Sequence, residues 1–209
     1  MKVLPFGERA LLAEFASLTQ TMAAFQAFSA ARVPGIVELI PAATTVLAQI
    51  DPTRLSLRAA EQWLSDTYAR ATRSNTVRVG EALSVTIPVR YDGPDLASVA
   101  LLLGVSIDEL VSRHSQAHWQ CAFIGFAPGF AYLASTEADF NLPRRETSRT
   151  SVAPGSVGLA GEFTGIYPRN SPGGWQLIGA TDVTLWDEAR DPPAAITPGM
   201  IVRFEVVTP

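Results

Sequence analysis

Cysteine is nearly absent from this 209-residue chain, and charge is scarce. The single cysteine, Cys121, excludes an intrachain disulfide and a four-cysteine zinc site, and fits a reducing compartment. Only 17% of the residues are charged against 47% hydrophobic. A soluble domain usually carries roughly 25% charged residues, so much apolar surface must be buried here, within the chain or against a partner protein. Basic residues are outnumbered 16 to 20, for a net charge of −4, which argues against a phosphate-neutralising nucleic-acid surface. Long apolar runs are missing too. "MKVLPFGERALLAEF" is interrupted by Pro5, Gly7, Glu8 and Arg9, so neither a signal-peptide core nor a membrane span is expected and the chain reads as cytoplasmic.

What is present divides the chain in two. "ALLAEF" reads as a strand, and "TQTMAAFQAFSAA" sets Met22, Phe25 and Phe28 at helical spacing before the Pro34-Gly35 stop. "IVELI" and "TTVLAQI" read as strands, and Asp51-Pro52 is expected to open a helix carrying Leu57, Ala60, Trp63, Leu64 and Tyr68. The order β-α-β-β-α suggests a small ferredoxin-like α+β domain. Hydrophobic periodicity stops between residues 72 and 83, which gives expected domains of 1–78 and 79–209. The second opens with the strand "SVTIPVRY" and two short helices, one ended by Gly104 and one opened by a Ser106/Glu109 capping box. From Trp119 onward, short strands ("WQCAFIGF", "GSVGLA", "WQLIGA", "MIVRFEVV") separated by Gly/Pro turns signal a β-barrel or sandwich.

Four groups of residues are candidates for chemistry. His114 and His118 stand four apart, but no Glu follows the first as in zinc proteases, and no metal site is expected. His114 alone ends a helix, where it is either a surface cap or a group titrating near neutrality. Cys121 reads as a small buried hydrophobe between Trp119 and Phe123. "GFAPGFAYL" is no phosphate loop, because Pro128 removes a donor and no Lys-Ser/Thr follows Gly129. Its Phe126, Phe130 and Tyr132 form either a core corner or an apolar pocket wall. "PRRETSRTS" concentrates Arg144, Arg145 and Arg149 among hydroxyls. It is either a solvated basic loop or, since the guanidinium fork matches oxyanions, a carboxylate or phosphate site.

Three of these stretches, "IGFAPGFAYL", "LPRRETSRTSVAPGSVGLAGEFTGIYP" and "SPGGWQLIGAT", resemble the KipI family, also called allophanate hydrolase subunit 1 and the B-type subunit of 5-oxoprolinase. The resemblance extends to "LPFGERALLAEF" and "GPDLASVALLLGVSIDELVSRHS", and so runs almost end to end. It implies an N-terminal α+β domain followed by a cyclophilin-like β-barrel of the carboxyltransferase subdomain C/D type. It also implies an ATP-dependent 5-oxoprolinase, with Mg in the assembled complex, in which the chain works with a barrel-containing C-type subunit (KipA type) and an A-type subunit (LamB/YcsF type). A kinase-inhibitor role and a urea- or allophanate-related role are the alternatives that the family names carry. Carried over residue by residue, the resemblance makes His114, Arg144 and Arg149 catalytic candidates, with the arginines holding phosphate or carboxylate oxygens and His114 carrying a proton. Phe126, Pro128, Gly129, Thr164 and Tyr167 become substrate- or nucleotide-binding candidates. Phe130, Tyr132, Pro172 and Trp175 become partner-interface candidates, in a segment whose Gly/Pro turns would preorganise a surface. The chain departs from the family pattern at Ala131, Glu162 and Phe163.

Overall fold

Ser17 starts a helix: its side chain accepts the backbone N–H of Gln20, satisfying one of the donors that a helix start leaves open. Such local punctuation builds the first half of the molecule. In the computed structural model, which describes residues 1–74 and 83–208, the chain falls into two compact units, one within Met1–Glu81 and one within Ala82–Pro209. The domain boundary expected at 78/79 lies outside the described residues.

The first unit runs β1 (Lys2–Pro5), β2 (Ala10–Glu14), α1 (Leu18–Ala30), β3 (Ile36–Pro41), β4 (Thr45–Ile50) and α2 (Leu57–Ser74). Its antiparallel sheet has the order β1-β2-β4-β3. The expected β-α-β-β-α succession is there, but the edge beside β2 is filled by β1, a strand too short for its pattern to mark it in the sequence. Alternation puts Val46, Ala48 and Ile50 of β4 into the core with Phe28 and Leu64 from the two helices. Trp63 packs 5.6 Å from Phe28 and donates its indole N–H to the Ala31 carbonyl. The second helix begins at Leu57 rather than at Pro52. Asp51 instead closes a turn, accepting from the Thr53 backbone and hydroxyl, and Ser56 caps the helix through the Ala59 N–H.

The second unit runs β5 (Ser84–Val89), α3 (Leu96–Leu103), α4 (Ile107–Gln116), β6 (Trp119–Ile124), β7 (Ala131–Ala134), β8 (Arg149–Val152), β9 (Ser156–Ala160), β10 (Phe163–Ile166), β11 (Ser171–Gly173), β12 (Gln176–Ala180) and β13 (Ile201–Val206). Seven strands form one sheet in the order β12-β9-β10-β7-β6-β13-β5. Its two ends meet where Arg90 and Ala180 exchange backbone hydrogen bonds of 2.9 and 2.8 Å, so the sheet is a nearly closed barrel. The interior holds Ile87, Val89, Trp119, Leu133, Val157, Leu159, Ile178 and Val202. A separate cluster, Phe130, Val152, Tyr167, Trp175 and Leu177, lies beside the two-stranded antiparallel β8/β11 pair, from which it takes Val152. Ser106 caps α4 as expected by accepting the Glu109 N–H, while the Glu109 carboxylate accepts from Arg113 at 2.7 Å, so the reciprocal half of the capping box is not seen; Gly104 ends α3 in the left-handed conformation.

Candidate functional site

One strand, β10, sorts the candidate residues into two groups, because successive side chains of a strand point to opposite faces. Thr164 points into the barrel. Its neighbour Gly165 faces the other way, where an added side chain would stand 2.9 Å from the Ala131 carbonyl and 3.1 and 3.2 Å from the rings of Phe130 and Trp175. Glycine at 165 is what lets those rings close over the strand.

On the inner face a polar chain crosses an otherwise apolar core. His114, in the last turn of α4, is fully buried and stacks on Phe204 at 4.4 Å. Burial pushes its imidazole down to about 3, so the ring is neutral, with one donor and one acceptor. The contacts fix which is which. Thr164 Oγ1 gives its only proton to the Gly158 carbonyl at 3.1 Å, so His114 Nε2 donates to Thr164 at 2.9 Å. Nδ1 is then the acceptor for the Tyr91 hydroxyl at 2.7 Å. Tyr91 is itself held protonated by burial. His114 is therefore neither a surface cap nor a group titrating near neutrality. It sits across the sheet from the aromatic group, so the structure does not bring His114 or Thr164 together with those candidates.

On the outer face the aromatics gather. Phe130 lies 5.3 Å edge-on to both Tyr167 and Trp175 and 5.1 Å from Tyr132. Phe163 adds its edge to Tyr132 at 5.7 Å. The loop before β7 brings Phe126 over this floor through two consecutive turns. The Ala127 N–H returns to the Gly125 carbonyl at 2.7 Å, a γ-turn around Phe126, whose φ of 67° is strained for a bulky side chain. The Phe130 N–H then reaches the Ala127 carbonyl, with Pro128 and Gly129 (φ 81°) in the middle positions of a type II turn. Pro128 and Gly129 thus shape the loop, and Phe126 is displayed 58% exposed, with its ring edge-on to Phe130 and 6.3 Å from Tyr167. Phe130 and Trp175, expected at a partner interface, are 1% and 5% exposed and form the floor itself. Too little of either ring is accessible to anchor a partner; Tyr132 is half-buried and Pro172 is exposed.

The basic loop separates into two roles that the sequence does not distinguish. Asp95, just ahead of α3 and 3% exposed, accepts from Arg145 Nη1 at 2.7 Å and Arg149 Nη2 at 2.8 Å on one oxygen, and from the Leu177 N–H at 2.7 Å on the other. Burial alone would raise the Asp95 pKa. The hydrogen bonds from Arg149 and Leu177 and the charges of Arg149 and Arg145 outweigh burial and hold it below the usual carboxylate range. One carboxylate cannot satisfy two guanidinium groups, and Arg145 Nε and Arg149 Nη1 stay buried without partners. Arg149 is thus committed to Asp95. Arg144 is the opposite case: exposed, and without a hydrogen bond or ion pair among the described residues. Its charge reaches the hydroxyls of Tyr132 and Tyr167, where it offsets part of the rise that burial imposes on both phenols. Nothing nearby in the chain marks Asp95 as their partner, and the sequence offers a nearer carboxylate, Glu146, within the cluster itself.

The remaining candidates carry no site. His118 pairs with Glu137 at 3.0 Å, Cys121 is buried with its thiol pushed up to about 12, and no cluster of three or more potential metal ligands occurs among the described residues. No helix of the described residues is long and apolar enough to cross a membrane.

The family model for the carboxyltransferase domain, subdomain C and D, matches residues 1–196. A 5-oxoprolinase B-type subunit of Escherichia coli O157:H7 is 40% identical over 179 residues, covering 82% of this chain and 78% of the relative. One from Bacillus subtilis (strain 168) is 35% identical over 182 residues, covering 82% and 75%. The crystal structure of TTHA0988 superposes with a TM-score of 0.76 at 33% identity over 96% of this chain, which spans only 40% of that longer polypeptide. By coverage and identity, the chain belongs to the family of 5-oxoprolinase B-type subunits, within the carboxyltransferase subdomain C and D proteins.

Proposed function

We propose that this chain acts as the B-type subunit of an ATP-dependent 5-oxoprolinase, together with the LamB/YcsF-type and KipA-type subunits, in the opening of 5-oxoproline to glutamate. The observation that carries the reading is the similarity to 5-oxoprolinase B-type subunits at 35–40% identity over 82% of the chain. A subunit so designated implies others. The chemistry explains why ATP is needed. A lactam is a poor electrophile, and phosphoryl transfer to its carbonyl oxygen turns that oxygen into a leaving group, so that water can add to the carbon and the ring C–N bond can open.

What this chain supplies is binding and order. Its outer barrel face offers the accessible rings of Phe126 and Tyr132, the Tyr132 hydroxyl and an uncommitted cation, Arg144, over buried aromatics and a base held by the Asp95 cluster. His114 keeps β10 in place through Tyr91 and Thr164 and remains neutral, so it orders the strand and does not carry a proton to the floor. The described residues offer Mg2+ no cage of their own, and the ion enters on the nucleotide phosphates. Assayed alone, the chain should show little turnover of 5-oxoproline; mixed with its LamB/YcsF-type and KipA-type partners it should release glutamate and ADP in equal amounts. Full activity of the isolated chain would overturn the assignment.

A further inference from the structure

The geometry points to Arg144 as the anchor for the substrate's carboxylate, with the lactam ring lying on the accessible rings of Phe126 and Tyr132, so that Arg144 selects a carboxylated lactam over a neutral one. The proposal rests on the 5-oxoprolinase reading and adds to it which residue recognises which part of the substrate. Three observations carry it. Of the three loop arginines, two are consumed by Asp95, and only Arg144 is exposed with no hydrogen bond or ion pair among the described residues. The loop that carries Arg144 runs beside the floor, since the Arg145 N–H donates to the Gly174 carbonyl at 2.8 Å and Gln176 Nε2 donates to the Pro143 carbonyl at 3.2 Å, on either side of Trp175; the Arg144 charge also acts on the Tyr132 phenol. The ring that overhangs the floor, Phe126, is held out by a strained turn instead of being packed away. A small ring with three apolar carbons and one carboxylate matches such a surface: the methylenes cover aromatic faces, the anion takes the guanidinium fork, and the Tyr132 hydroxyl is within the same patch for the lactam amide. A phosphate matches it less well, since it would leave the aromatic surface uncovered.

Arg144→Gln removes the charge and keeps a polar side chain at an exposed position, so the variant should melt with the parent chain. The test uses the assembled complex without ATP, titrated with 5-oxoproline and with 2-pyrrolidinone, the same ring without its carboxylate. Arg144→Gln should weaken 5-oxoproline binding by about 10- to 100-fold, the range of a lost charge-assisted hydrogen bond, and leave 2-pyrrolidinone binding unchanged. With ATP added, KM for 5-oxoproline should rise in parallel while KM for ATP stays within about twofold. Unchanged 5-oxoproline affinity, or a rise in KM for ATP alone, overturns the anchor role. Weakened 5-oxoproline binding by the variant, alongside a parent complex that shows no ATP-dependent turnover, would uphold the anchor and overturn the 5-oxoprolinase reading instead.

Discussion

At the scale of single residues, Asp95 matters more than any group singled out from the sequence. It is the one carboxylate shared by Arg145 and Arg149, and it also ties them to the backbone of β12. Asp95→Asn leaves two guanidinium groups beside a neutral amide. It should destabilise the barrel unit by about 3 kcal/mol in denaturant unfolding, the cost of breaking a buried pair from one side. Because the folded-state pKa of Asp95 is depressed, its contribution is complete above the unfolded value near 4 and is lost as pH falls through the lower folded value. The variant should accordingly lack part of the parent's loss of stability below about pH 4. His114 gives a second pH signature. Its folded pKa is also depressed, to about 3, so the unfolded chain takes up a proton first. Stability is complete above the unfolded value near 6.5 and declines as pH falls from there toward 3. In His114→Asn, which should cost about 3 kcal/mol at pH 8, that decline should flatten. Parallel profiles for parent and variant would show that the ring is not neutral in the folded state.

Among the elements, what was legible was whatever had length or a cap. The α1, α3 and α4 helices and strands such as β4, β6 and β12 announced themselves by periodicity, by Gly104 or by the Ser106/Glu109 pair. Strands β1, β7, β8, β10 and β11, three or four residues each and several interrupted by Gly or Pro, did not, because so short a segment has no period to read and is made a strand only by its neighbours. The candidate site shows the same limit. The aromatic floor and the arginine cluster were visible as residue types, and "core corner or pocket wall" proved a false choice, since Phe130 and Trp175 are buried floor while Phe126 is displayed above it. Neither the allotment of Arg149 to Asp95 nor the assignment of His114 to the opposite face could be seen, since each depends on contacts 50 or more residues apart. The Phe126 turn offers a test at this scale. Phe126→Ala and Phe126→Gly both remove the ring and should both reduce activity of the complex, but only glycine is at ease at φ 67°. The glycine variant should therefore be the more stable of the two by about 1 kcal/mol in thermal or denaturant unfolding. Equal stabilities would mean that the turn relaxes when the ring is gone.

For the whole molecule, the question is which apolar surface belongs to folding and which to assembly. Trp175 is 5% exposed and enclosed by Phe130 and Tyr132, so Trp175→Ala should act on the chain itself. It should lower the stability of the isolated protein by about 3 kcal/mol, and the folded fraction should associate with the KipA-type partner normally. Weakened association at unchanged stability would return Trp175 to the interface. The partition also bears on how such a protein can change. Residues 163 and 165 of β10 face the aromatic surface, whereas Thr164 completes the buried polar chain, so the two tasks are written on alternate letters of one short word. Substitutions at Phe163 can alter the aromatic surface while the barrel's interior keeps its composition, but deleting a single residue there would exchange the two alphabets, turning the threonine out and an aromatic ring in. Divergence within this strand is thus free to proceed by replacement and closed to insertion or deletion, a constraint that sequence variants of this barrel should display as fixed spacing between the β9 and β11 turns.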